Sequence, residues 1–282
     1  MLTLRNVFDA KKTKKKSFSM IATRAMEREY QRDIDRLLRA IYEVFKSVVI
    51  DGMDRKVVTK QLSLTKDESY NERLNRLIAE FTKRVKGRYS RDFIKKLCEK
   101  HLRRVYAWQN REFAKRMANF GLGLAGEDLL KKYRSFMKLK LDVNIGLVQG
   151  LVDNEIKQLK EQVMRNMSNG APASELAKGL QQHLTVSRHR ASTIARTEVN
   201  TLTGQLNDRR AMEVGIDEGI WRGVEDNRER PEHLALEGKR FKLSEGVLIK
   251  LKNGKTKRIW PGREPNCRCW TEYPIDQIFR GR

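Results

Sequence analysis

The sequence predicts an α+β fold: a long-helix N-terminal region, then a compact C-terminal domain with helices and a small antiparallel β-sheet. Three observations carry this. Apolar residues recur at spacings of three and four through most of the first 215 residues, the period of a helix with one buried face. Beyond Gly215 that period stops, and short aromatic or β-branched runs alternate with the turn pairs Asn253-Gly254 and Pro261-Gly262. The length of 282 residues suits one large domain or two ordinary ones, and 39% hydrophobic residues supports a core.

Charge narrows the partners. Sixty basic residues against 36 acidic ones give a net +24, and 34% of the chain is charged. With a mean hydropathy of −0.68, this describes extended helices with much exposed surface. Such an excess points to polyanionic partners, either nucleic acid or an acidic protein surface. No apolar run of about 18 residues exists, so no membrane span is expected. Three cysteines, Cys98 among them on a helical stretch, do not make a disulfide framework. Synthesis in a reducing compartment is the expectation.

Lys11, Lys12, Lys14, Lys15 and Lys16 form a basic cluster with no apolar stretch after it, which is not a secretory signal. Residues 1–18 read as a flexible basic arm suited to phosphate or to an acidic partner, or simply as a solubilising tail. From Ser19 to about Ile50, the residues Met26, Tyr30, Ile34, Leu37, Leu38, Ile41, Phe45 and Val48 make one continuous stripe. Residues 51–71 lack the period and read as a connection. A second helix carries Leu74, Leu77, Ile78, Phe81 and Val85. A third carries Phe93, Leu97, Leu102, Tyr106, Trp108 and Phe113. These stripes are read as core rather than as a cofactor box.

Three glycines between Phe120 and Gly126 lack both a preceding strand and a following Lys-Ser/Thr pair, so a phosphate cradle is excluded and a hinge or loop is expected. Residues 129–167 are helical again, with a break expected near Gly146 or Gly150. Asn169-Gly170-Ala171-Pro172 is strong punctuation, and a domain boundary is placed at 168, separating a helical region 19–168 from a domain 169–282. Ser174 is read as opening a short helix to about His183. Ser187 is read as capping a second, long helix with Ala191, Ile194, Ala195, Val199, Leu202 and Leu206 on its apolar face, closed by Gly215.

That helix contains Ile194-Ala195-Arg196-Thr197-Glu198-Val199-Asn200. After it come a strand at Ile220–Val224 with Trp221, a turn at Glu225-Asp226-Asn227, and a short helix from Arg230-Pro231-Glu232-His233 to Gly238. A strand at Phe241–Leu243 follows, then a hairpin over about 247–260 around Asn253-Gly254 with the type I′ turn that this pair favours. Pro261-Gly262 ends the hairpin. Glu264-Pro265-Asn266-Cys267-Arg268-Cys269 leads into a last strand through Tyr273.

In this order, IARTEVN, Trp strand, EDNRERPEHLALEGK, hairpin, PG and NCRC resemble the phage Mu protein F-like family of minor head proteins, the phage head morphogenesis domain, over about residues 155–275. The resemblance implies a virion protein of the head interior, made in the bacterial host cytoplasm and present at low copy. It further implies association with the portal protein and the capsid interior or scaffold, contact with packaged double-stranded DNA, and a part in procapsid assembly, DNA packaging or ejection. The structural motif it marks comprises Arg196, Thr197, Glu198, Trp221, Asp226, Arg230, His233, Gly238, Pro261, Gly262, Cys267, Arg268 and Cys269.

The chain departs from the family pattern at one place. Many members carry Cys-x-x-Cys where this chain has Arg230-Pro231-Glu232-His233, and a His where it has Glu264. His233, Cys267 and Cys269 remain as candidate zinc ligands, with Glu264 or Asp226 as a fourth, since zinc takes about four. The alternative is a metal-free clasp in which Arg230 or Arg268 pairs with Asp226 or Glu232, and this is the expectation, with no cofactor. A Cys267–Cys269 disulfide would close a strained ring. His233, Glu232 and Cys267 also have the chemistry of a Cys/His-dependent hydrolase, but catalysis is not expected. A free, non-specific DNA-binding protein is the rival reading from charge alone.

Overall fold

A computed structural model describes residues 16–53, 70–120, 133–168, 173–251 and 253–279. The chain is α+β and mostly helical, with a small antiparallel sheet in its C-terminal part. It divides into two compact units. One is drawn from Met1–Arg28, Lys100–Lys140 and Ala195–Arg282, the other from Glu29–Glu99 and Leu141–Ile194.

The helices are α1 (Arg24–Phe45), α2 (Tyr70–Arg88), α3 (Arg91–Asn119), α4 (Arg134–Ser168) and α5 (Ala173–Glu213), with a π turn at Lys46–Ile50 after α1. The stripe predicted on α1 is the buried one: Ile34, Leu38, Ile41 and Phe45 are all fully enclosed. Phe45 meets Phe81 of α2 edge-on, with ring centroids 5.2 Å apart. On α3 the predicted stripe is partly displaced. Leu102, Tyr106 and Phe113 are buried as expected, but Phe93 is 42% exposed, and Ile94, Cys98 and Val105 are buried in addition.

Two expected helix breaks are absent. Helix α4 runs through Gly146 and Gly150 without interruption, since an isolated glycine costs a helix only about 1 kcal/mol. The segment 184–187 does not start a new helix either, because α5 is continuous from Ala173 to Glu213. Ser187 does not cap. Its hydroxyl, fully buried, donates to Glu155 Oε2 at 2.5 Å, and His183 Nε2 lies 3.1 Å from the same oxygen. The glycine loop 121–126, the Asn169–Pro172 break and most of the 51–71 connection lie outside the described residues.

In the other unit, strands β1 (Ser17–Ser19), β2 (Glu218–Arg222), β3 (Arg240–Lys242) and β6 (Trp270–Pro274) form one antiparallel sheet in the order β1-β6-β2-β3. Strands β4 (Val247–Lys250) and β5 (Thr256–Ile259) form a separate hairpin. Ser17 and Phe18, expected to belong to a flexible arm over residues 1–18, instead lie in β1, and residues 1–15 of that expectation lie outside the described residues. Ser17 and Phe18 pair with Pro274 and Tyr273, and Phe18 stacks on Tyr273 at 5.2 Å. A short alternating Ser-Phe-Ser run after a lysine block gave no periodicity long enough to flag as a strand.

The hairpin is where it was predicted, but its turn is of another kind. Leu251 N donates to Lys255 O at 2.7 Å and Gly254 N to Leu251 O at 2.9 Å, so the connection is longer than a two-residue Asn253-Gly254 loop, with Gly254 at φ +80. The core of this unit gathers Phe18, Phe113, Met117, Ile216, Trp221, Phe241, Ile259 and Tyr273.

Candidate functional site

The site is assembled from two loops that flank the central strands. Strand β2 ends at Arg222, and the chain turns through Asp226, whose Oδ1 accepts from Arg228 N at 3.0 Å, an Asx turn. Pro231 then opens a one-turn helix α6 (Pro231–Leu234), preceded by Arg230 in an extended conformation. That turn directs His233 inward, where it is 3% exposed. Its ring meets Trp221 edge-on at 5.4 Å. Gly238, at φ +72, ends the segment with its N donating to Trp221 O at 2.9 Å.

The second loop joins β5 to β6. A Cβ at Gly262, which has φ +73, would lie 3.0 Å from Cys269 O, so the Pro261-Gly262 turn packs this closely only without a side chain. Asn266 takes a left-handed conformation at φ 57. After it, Cys267 and Cys269 are buried, while Arg268 between them reaches outward to Asp226. Both guanidinium nitrogens of Arg268 lie 2.5 Å from the Asp226 oxygens. Arg230 Nη2 donates to Pro265 O at 2.7 Å, a second tie between the loops.

His233 Nδ1 lies 3.5 Å from Cys267 Sγ and 3.6 Å from Cys269 Sγ. The candidate ligand atoms of these three buried residues all fall within 4.8 Å of one another. Glu229, not singled out in the sequence, completes the cluster by accepting from Cys269 Sγ at 3.1 Å. A cavity of about 100 Å³ opens beside them, bounded also by Arg228, Arg230 and Arg268. The two acids put forward as a fourth ligand are engaged elsewhere, Asp226 with Arg268 and Glu264 with Lys257 at 2.7 Å.

Helix α5 holds this assembly from beneath. Thr197 Oγ1 accepts from Asn266 N at 3.1 Å, and Asn200 Nδ2 donates to Cys267 O at 3.4 Å. Arg196 donates to Asn266 Oδ1 at 3.4 Å and lies 3.6 Å from Glu27. Glu198 acts elsewhere: burial lowers the Lys140 ammonium, and the Glu198 charge opposes that shift. Two turns further along α5, buried Asp208 pairs with Arg263 and accepts from Tyr273 OH at 2.6 Å. Sequence reading missed Asp208, Asn266 and Glu229. No local pattern marks Glu229, which precedes α6 and is separated from it by the extended Arg230.

The electrostatics follow from these contacts. Hydrogen bonding to Arg268 takes the Asp226 carboxyl down to about 2. The Cys267 thiol is lowered, first by its hydrogen bond with Cys269 and then by His233, while the Cys269 thiol is pushed up by Cys267, by burial and by Glu229. Burial raises the Asp208 carboxyl, opposed by Arg263.

Residues 157–272 match the family model described as Phage Mu protein F like protein. That segment is Mu protein F-like. It takes in α5, both loops of the site and most of β6. An uncharacterized protein of Haemophilus influenzae is 28% identical over 126 residues, covering 45% of this chain and 26% of that protein. The match thus spans about a quarter of that relative. No solved structure matches. Of the basic cluster, Lys11, Lys12, Lys14 and Lys15 lie outside the described residues. Lys16 is exposed, with its carbonyl accepting from Ile275 N at 2.9 Å.

Proposed function

We propose that this chain is a non-enzymatic minor head protein that associates with the portal inside the phage head and assists procapsid assembly, DNA packaging or ejection. The observation that carries the reading is the Mu protein F-like match over residues 157–272, a family of phage head morphogenesis. The helical region 19–168 is assigned to portal or subunit contact, and the Mu F-like part to a clasp that keeps two distant loops together. Support for a non-catalytic role comes from the site itself. Cys267 is 4% exposed and Cys269 7%, and the adjoining cavity of about 100 Å³ is small beside the roughly 300–1,000 Å³ of small-molecule sites.

DNA is the second partner in this reading. Lys83, Lys86, Arg88, Arg91, Lys95 and Lys96 are exposed along the end of α2 and the start of α3, a basic run suited to phosphate. No described helix is long and apolar enough to cross a membrane. Co-expression of the full chain with the portal protein of its own phage tests the role. Retention on purified portal rings after nuclease treatment and at moderate salt supports it. Retention that disappears whenever DNA is removed favours the rival reading, a free DNA-binding protein.

A further inference from the structure

We propose that Glu229, His233, Cys267 and Cys269 form a structural zinc site, with Glu229 as the fourth ligand. This stands on the local geometry and does not depend on the portal role.

Two thiols, an imidazole nitrogen and a carboxylate oxygen are a donor set that zinc takes in closed, tetrahedral sites. With Zn–S near 2.3 Å and Zn–N near 2.0–2.1 Å, the S-to-N edge of such a tetrahedron is about 3.5 Å. The observed Nδ1-to-Sγ separations are 3.5 and 3.6 Å. Glu229 Oε1 lies 3.1 Å from Cys269 Sγ, and a rotation of its side chain brings it to the fourth corner. A thiol is a weak donor and a weak acceptor, so two thiols facing a buried imidazole without a cation gain little for being buried. A divalent cation among them turns mutual repulsion of two thiolates and a carboxylate into attraction. The residual negative charge then faces Arg228, Arg230 and Arg268 around the cavity.

The supporting shell is also in place. Asn200 holds the Cys267 carbonyl and Thr197 the Asn266 amide. The Asp226–Arg268 pair fixes the residue between the two cysteines. Ligands oriented in this way by their neighbours characterise built metal sites. The arrangement replaces the fourth ligand considered from sequence, since Asp226 and Glu264 face other partners.

The test is elemental analysis of tag-free, full-length protein purified under reducing conditions, followed by cobalt(II) titration of the chelator-stripped protein. About one zinc per chain is expected. Cobalt should give the intense visible bands of a tetrahedral thiolate centre. Glu229→Gln should lower zinc affinity about tenfold or more, while Glu264→Gln leaves it unchanged. Less than about 0.1 zinc per chain together with no cobalt bands from folded protein overturns the site. Wild-type affinity in Glu229→Gln overturns the fourth ligand. The cobalt titration of the native chain decides the question even if a variant fails to fold.

Discussion

Arg268 grips Asp226 with both guanidinium nitrogens across 42 residues of chain. The pair joins the loop after β2 to the loop before β6 and carries no burial beyond partial shielding. Because the folded Asp226 carboxyl lies at about 2, below its ordinary 3.8, its contribution is full above about pH 4 and lost as pH falls through 2. Melting curves of wild type and Asp226→Asn should therefore differ at pH 7 and converge toward pH 2. A constant difference across that window would assign the effect to something other than this charge.

The buried pair beneath the site behaves in the opposite sense. Asp208 is 3% exposed and depends on Arg263 and Tyr273 for compensation. Arg263→Met leaves a carboxylate buried beside Tyr273 alone and should cost about 3 kcal/mol at neutral pH. Its carboxyl is already raised by burial, and loss of Arg263 raises it further. The damage should shrink as pH falls and Asp208 takes up a proton. Adding Asp208→Asn to Arg263→Met should recover part of the loss at pH 7, and failure to recover any would contradict the pairing.

One of the ties from α5 to the cysteine loop is a hydrogen bond from the Asn266 amide to the Thr197 hydroxyl. Thr197→Val keeps the shape and removes the acceptor, at an expected cost of about 1 kcal/mol. Arg196→Ala removes the contacts to Asn266 and Glu27 and should lower the melting temperature and head-assembly yield together. Chemical denaturation reads the first and particle counts the second.

Much of this was legible in the sequence for a simple reason. Stripes such as Tyr30–Ile34–Leu38–Ile41–Phe45 announce a buried helical face, and Asn253-Gly254 between short apolar runs announces a hairpin. The motif residues His233, Cys267, Cys269, Asp226 and Arg268 do stand together, because their order along the chain reflects one closed loop. What was not legible depends on tertiary partners. Ser187 looks like a cap, yet a buried Glu155 thirty-two residues away occupies its hydroxyl. Phe93 looks like core by period, yet it is 42% exposed and Ile94 and Cys98 are buried in that first part of α3, while Leu102, Tyr106 and Phe113 are buried as their spacing announces. Glu229 carries no local mark, and only the folded turn before α6 brings it to Cys269.

DNA contact has its own signature. Binding to random duplex should be weak, independent of sequence and steeply salt-dependent, since each neutralised phosphate releases counterion. Replacing Lys83, Lys86, Lys95 and Lys96 with Glu should flatten that dependence. An unchanged slope would move the contact away from α2 and α3.

The measurement closest to the central claim is quantitative mass spectrometry of gradient-purified virions and of heads emptied of DNA. The account predicts peptides of this chain in the particles at low copy, on the order of the portal subunits rather than of the major capsid protein. Absence from particles, in lysates where the chain is plainly made, would contradict it.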